Sequence, residues 1–129
     1  MLVLETSAMA AVVKGEPAEE DINRALAVAL EILLPVHCAL ELTLAWRLPE
    51  ERYDYLNGLL ALPNTRTVAL EPSMTDTALQ AARLYGKGFG QPDKLNFGDC
   101  MSYAVAKSLD LPLLYVGNDF AHTDIESVL

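Results

Sequence analysis

What most restricts the fold of this chain is a set of short strand-like runs, each too brief for a stable helix, separated by stretches with helical periodicity. Met1 to Leu4, Leu33 to Cys38 and Leu113 to Val116 are almost wholly apolar, and Thr65 to Leu70 is rich in Thr and Val. The first run halts at Glu5-Thr6-Ser7 and the last at Gly117-Asn118-Asp119. Strands buried on both faces read as near-continuous hydrophobic runs, because helices cover them above and below. Such strands alternating with helices predict the α/β class: a three-layer α/β/α sandwich around a mainly parallel sheet.

The intervening segments carry helix signals. Ala8 to Val13 follows hydroxyls at Thr6 or Ser7 that can accept from free N–H groups of a first turn. Lys14-Gly15-Glu16-Pro17 breaks that helix; Pro17 and the acids Glu19, Glu20 and Asp21 suit the start of another, with Ile22, Leu26, Ala29 and Leu30 at helical spacing. Pro35 predicts an early or edge position for the second strand. From Leu40 to Trp46 the apolar residues alternate as in a strand, but Ala, Leu and Glu favour a helix, which is the expectation. Pro49 to Leu62 reads as an amphipathic helix. Ser73 with Asp76 resembles a capping box opening a helix through Ala78, Ala82 and Tyr85 that Gly86 ends. Asn96 can cap the next helix, with Phe97, Met101, Ala104, Val105 and Leu109 as its expected buried side, and Pro112 stops it.

A chain of 129 residues, 52% of them apolar, can bury one continuous core, so a single domain over 1–129 is expected. No apolar run reaches the roughly 18 residues needed to span a bilayer, and no secretory leader is legible, so a cytoplasmic protein with no membrane partner is expected. Cys38 and Cys100 form no CxxC pair and read as reduced thiols. The net charge of −9 opposes nonspecific adhesion to nucleic acid. The charge is uneven, however. Residues 83 to 107 hold Arg83, Lys87, Lys94 and Lys107 against only Asp93 and Asp99, while the rest of the chain holds five cations against sixteen acids.

In parallel sheets, ligands bind outside the carboxyl ends of the strands, which gives weight to acids placed there. Glu5 and Asp119 follow apolar runs, Glu41 lies just past the second strand, and Asp99 lies in the first turn of the helix leading to the fourth. Four carboxylates of this kind can converge on a hard cation such as Mg²⁺ and serve phosphodiester hydrolysis. Each also has a plainer role open to it. Glu5 and Asp119 can be turn residues, Glu41 a solvated helix position, and Asp99 an N3 carboxylate reaching back to the Asn96 cap.

The Glu5-Thr6-Ser7-Ala8 start, the Leu95-Asn96-Phe97-Gly98-Asp99-Cys100 segment and the ending Leu113-Leu114-Tyr115-Val116-Gly117-Asn118-Asp119-Phe120-Ala121-His122-Thr123-Asp124-Ile125 together resemble PIN-domain toxins of the VapC kind. The resemblance covers nearly the whole chain. It implies a PIN-like fold and a ribonuclease using Mg²⁺ or Mn²⁺ on an RNA substrate, restrained by a small cognate antitoxin protein and usually homodimeric. It also implies Glu41, Asp99 and Asp119 as acids of the site, with Thr6, Ser7, Asn96, Thr123 and Asp124 in support. The family's first acid is an aspartate in Asp-Thr-Ser, and Glu5 stands there in this chain. That departure leaves two readings: a metal-dependent nuclease, or a PIN-like binding module that engages an antitoxin and has lost turnover.

Other chemistry is poorly supported. Gly86, Gly88 and Gly90 follow a helix rather than a strand, so a flexible connector is expected there rather than a phosphate-cradling loop. Cys100 with His37 or His122 has no recognisable protease context, and Ser7 lacks the Gly-x-Ser-x-Gly elbow of a hydrolase nucleophile.

Overall fold

The structure, a computed structural model, describes residues 1–88 and 95–129. Gly90, Asp93 and Lys94 of the glycine loop and basic segment lie outside them. The elements run β1 (Leu2–Leu4), α1 (Thr6–Lys14), α2 (Glu19–Val28), β2 (Ile32–Pro35), α3 (Val36–Thr43), α4 (Pro49–Leu60), β3 (Thr65–Val68), α5 (Thr75–Tyr85), α6 (Phe97–Leu109) and β4 (Leu113–Leu114). The four strands form one sheet in the order β3-β2-β1-β4, and every pairing is parallel. The register sets Val3 against both Leu33 and Leu113.

Alternation along the strands builds two cores. Leu2, Leu4, Ile32, Leu34 and Leu114 face the side covered by α1 to α4, with Met9, Ile22, Cys38, Leu42 and Leu56. Val3, Leu33 and Leu113 face α5 and α6, with Met74, Ala81, Tyr103, Ala104 and Val105. This is the expected three-layer sandwich. A fully buried leucine of this kind stabilises the fold by about 1.5–3 kcal/mol relative to an exposed one, and neither layer can be removed without exposing one face of the sheet.

Several local expectations are corrected. The second strand ends at Pro35 rather than Cys38, and α3 begins at Val36. Pro35 is tolerated in an interior strand because it is the last residue of that strand, where a missing N–H interrupts little of the ladder. Residues Leu44 to Trp46 lie beyond α3, which stops at Thr43. Likewise α2 ends at Val28, and Leu30 is exposed. The fourth strand covers only Leu113 and Leu114.

The predicted capping box at Ser73 and Asp76 does not form. Ser73 lies in a 3₁₀ turn over Pro72–Met74, and α5 starts at Thr75 without a side-chain cap. Gly86 does end α5, and a β-carbon there would collide with the Ala82 carbonyl. In α6 the buried side is Gly98, Asp99, Ser102, Tyr103, Ala104, Val105 and Ala106, whereas Phe97 is 83% exposed. The apolar spacing of Phe97 with Met101 misled because this helix turns small and polar residues toward its neighbours. Both cysteines are free thiols. Among the described residues, no helix is long and apolar enough to cross a membrane.

Candidate functional site

Because the strands are parallel, the segments leaving β1, β2 and β4 emerge on the same edge of the sheet. β1 passes directly into α1 through Glu5, whose backbone continues the ladder by donating to the Leu114 carbonyl at 3.0 Å. Neither Thr6 nor Ser7 caps α1, as the sequence suggested; Glu5 does so itself. Its Oε2 accepts from the Ser7 backbone N–H at 2.7 Å and from the Ser7 hydroxyl. The same hydroxyl accepts from the Val116 N–H at 3.1 Å, fastening the exit of β4 to the start of α1. Thr6 Oγ1 donates to the Cys38 carbonyl at 3.4 Å, tying α1 to α3.

Glu5 is nearly enclosed, with only 3% of its surface exposed, and burial raises its carboxyl above the ordinary carboxylate range despite its bonds to Ser7 and Thr6.

Glu41 extends from α3 toward the start of α6. A β-carbon at position 98 would overlap the Glu41 carboxylate, so a residue larger than glycine there would push that carboxylate aside. Glu41 Oε1 is buried without a hydrogen-bond partner. A bare buried carboxylate oxygen is costly. Its pKa rises accordingly, first through burial and then through the negative charge of Glu5.

Asp99 occupies N3 of α6. Asn96 Oδ1 accepts from the Asp99 N–H at 2.8 Å, and Asp99 Oδ2 accepts from the Asn96 N–H at 3.1 Å, which completes the capping box foreseen as the plainer role for Asp99. The cap does not exhaust the residue. Burial drives Asp99 from 3.8 up to about 7, opposed by the Asn96 bond and assisted by the negative charges of Glu5, Asp119 and Glu41. Asp119 is exposed in the segment after β4.

The four acids are therefore electrostatic neighbours at one edge, although among the described residues no three acidic, His or Cys side chains already converge as a ligand set. Asp124 is engaged elsewhere, accepting from the Tyr103 hydroxyl at 2.5 Å and pairing with Lys107 Nζ at 2.8 Å. These bonds hold its carboxyl below the usual range. Thr123 Oγ1 donates to the Phe120 carbonyl at 2.7 Å and accepts from the Ile125 N–H.

Sequence reasoning missed two contributors on the α3–α6 seam. His37 Nε2 lies 2.9 Å from Ser102 Oγ, and Cys38 Sγ lies 3.2 Å from the same oxygen. Ser102 is completely buried. The spacing of His37 and Glu41, four residues apart as are Gly98 and Ser102, was the available signal, since each pair shares a helix face.

The donors fit a hard divalent cation in kind: they are carboxylate oxygens only, one of them buried and unpartnered. Burial raises the affinity of Glu5, Glu41 and Asp99 for protons, repulsion adds to it at Glu41 and Asp99, and a cation would relieve that repulsion.

The PIN domain family signature matches residues 2–126. Ribonuclease VapC30 of Mycobacterium tuberculosis is 36% identical over 129 residues, with 98% of each chain covered. Among solved structures of similar fold are VapC20 of Mycobacterium tuberculosis, a sarcin-ricin loop cleaving toxin, and a toxin–antitoxin complex from Klebsiella pneumoniae. The first superposes with a TM-score of 0.78 at 16% identity over 99% of this chain and 98% of that one. The second gives 0.70 at 15% identity over 96% and 93%. A sequence likeness of this extent, on a sheet whose acids gather at one edge, settles the family: the chain belongs to the PIN-domain proteins, among the VapC ribonucleases.

Proposed function

We propose that this chain is an endoribonuclease and the toxin of a toxin–antitoxin pair, hydrolysing RNA phosphodiesters with Mg²⁺ or Mn²⁺ held by Glu5, Glu41, Asp99 and Asp119. The observation that carries the reading is the unpartnered, buried Glu41 Oε1 beside Glu5 and Asp99, three acids whose proton affinities are raised. A fold alone has little use for such an arrangement, because buried like charges destabilise it. When bound, a divalent cation supplies positive charge against phosphoryl oxygens and increases the acidity of water.

The chain's own residues have separable tasks. Asp99, fixed by Asn96, and Glu41, seated over Gly98, present carboxylate oxygens from two helices. Glu5, fixed by Thr6 and Ser7, closes the inner wall of the site. Asp119 is the exposed member and the one most open to water and to an incoming phosphate. The chain acts as one PIN domain over 1–129. Its relatives support a cognate antitoxin as partner, and exposed Leu40, Leu44 and Trp46 on and after α3 offer apolar surface to one. A homodimer is part of the same reading.

The test is cleavage of a panel of structured RNAs by the full-length protein, with and without EDTA, alongside Asp99→Asn. Cleavage should require the cation and vanish in the variant. Cleavage that survives EDTA would overturn the metal assignment. Antitoxin binding without any Mn²⁺ affinity by calorimetry would favour the binding module.

A further inference from the structure

We infer that His37, anchored on Ser102, is a positioning residue that holds Glu41 at its place over Gly98 and so sets the affinity of the site for its divalent cation. The inference rests on the metal site proposed above and concerns residues outside it. On α3, His37 and Glu41 are one turn apart and share a face; on α6, Gly98 and Ser102 do the same. The two faces meet as a two-rung ladder. In one rung Glu41 sits over Gly98, where a β-carbon would displace its carboxylate. In the other, His37 Nε2 is 2.9 Å from Ser102 Oγ.

The donors and acceptors of the second rung can all be satisfied together. The Cys38 thiol, pushed up to about 12 chiefly by burial, keeps its proton and donates to Ser102 Oγ. The Ser102 hydroxyl then donates to His37 Nε2, and the other ring nitrogen carries the imidazole proton. Burial favours the neutral imidazole this assignment needs. Ser102 is wholly buried, so solvent does not compete for its hydroxyl, while His37 itself is half-buried. The first rung has no such closure: Glu41 Oε1 is unpartnered and carries the repulsion of Glu5. Left alone, that carboxylate would gain by swinging outward to water. The satisfied rung one turn away keeps α3 and α6 at the separation that prevents it.

The experiment measures Mn²⁺ binding to the metal-free full-length protein by calorimetry, with RNA cleavage as a second readout. His37→Leu keeps the volume and removes the bond to Ser102, whereas His37→Gln retains a donor and an acceptor. Outer residues that orient ligands typically change metal affinity about 10- to 100-fold. His37→Leu should therefore weaken Mn²⁺ binding about tenfold or more, and His37→Gln should recover most of it. Ser102→Ala, small enough to fold, should weaken binding in the same direction. In a Glu41→Gln background the His37→Leu effect should fall to about twofold or less, because the residue acts through Glu41.

Unchanged Mn²⁺ affinity in His37→Leu, with only the melting temperature lowered, would overturn the inference and leave the metal site standing. The same follows if the His37→Leu effect persists undiminished in Glu41→Gln. A wild-type protein that binds no Mn²⁺ would overturn the metal site and the inference together.

Discussion

The two halves of the acidic edge differ in how far the chain itself satisfies them. Where β1 meets α1, Glu5 is bonded to Ser7, Ser7 to Val116, and Thr6 to the carbonyl of Cys38. Where α3 meets α6, Glu41 and Asp99 lie beside a glycine whose missing side chain leaves room for the Glu41 carboxylate, and one buried oxygen of that carboxylate has no hydrogen-bond partner among the described residues. The first half is a helix cap that also bears an acid. The second makes little sense as structure alone, since a buried unsatisfied carboxylate costs stability. On the function proposed above, the α3–α6 seam carries most of the chemistry, and substitutions there should cost activity out of proportion to stability.

The largest effect is expected at Asp99. Asp99→Asn keeps an acceptor for the Asn96 N–H and deletes a charge that Glu5, Glu41 and Asp119 all oppose. RNA cleavage should fall more than ~100-fold, beyond what the loss of an outer-shell partner gives. The metal-free melting temperature at pH 8 should hold or rise, because repulsion is relieved. A variant that is inactive only because it unfolds would remove the distinction between the two halves.

Gly98→Ala tests the seam by crowding it. The added methyl occupies the space of the Glu41 carboxylate, and displacing a catalytic group by about 1 Å can cost on the order of a hundredfold in rate. The displaced atoms are the free end of a flexible side chain, so the fold itself should lose little stability. The cap at Glu5 lies on other elements and should be intact, which the pairing of the Ser7 and Val116 amides can report by hydrogen exchange. Wild-type cleavage by Gly98→Ala would mean that Glu41 need not sit where it does.

How much of this was legible depends on sequence distance. The capping box of Asn96 and Asp99 spans three residues and was foreseen in detail, as was the strand end that delivers Glu5. The helix over Leu40 to Trp46 was read correctly in type and too long, because local propensity does not fix where packing ends a helix. Phe97 was assigned to the core from its spacing, and only the neighbours of α6 reveal that Gly98 and Ser102 face inward instead. The pairing of His37 with Ser102 bridges a separation of 65 residues, and no short-range pattern encodes it. Strand ends were thus visible, whereas the seam between α3 and α6 required the fold.

A smaller effect of the same crowding should appear in stability against pH. The folded pKa of Asp99, about 7, exceeds its ordinary 3.8, and Glu41 and Glu5 shift in the same direction. Groups raised in this way favour the folded state fully below their unfolded pKa and lose that contribution as pH rises through the folded value. In EDTA, the melting temperature should therefore decline between about pH 4 and pH 7 and stay low at pH 8, with Asp99→Asn flattening much of the slope. Mn²⁺ should restore more stability at pH 8 than at pH 5, because a cation competes with protons for the same oxygens. A wild-type melting temperature that climbs steadily from pH 5 to pH 8 in EDTA would contradict the raised values.

The mildest change is expected at Glu5, where the resemblance to VapC toxins implies an aspartate. The longer side chain adds one methylene, about 1.5 Å of reach, and the structure shows where that length goes: the carboxylate turns back onto the N–H and hydroxyl of Ser7. Aspartate is itself a preferred N-cap and can accept the same N–H from a shorter side chain, so the fold should not suffer. The fold-back recovers part of the misplacement, and the rate gain from Glu5→Asp should accordingly be at most about tenfold, well under the hundredfold of an uncompensated 1 Å error. Mg²⁺ demands a near-ideal octahedron, so the gain should be larger in Mg²⁺ than in a more forgiving cation such as Mn²⁺. Single-turnover cleavage by the two proteins, with each metal at a fixed concentration, measures it. If Glu5→Asp is no faster than wild type in Mg²⁺, the Ser7 contact already places the glutamate correctly, and both halves of the edge are adapted to the acids they carry.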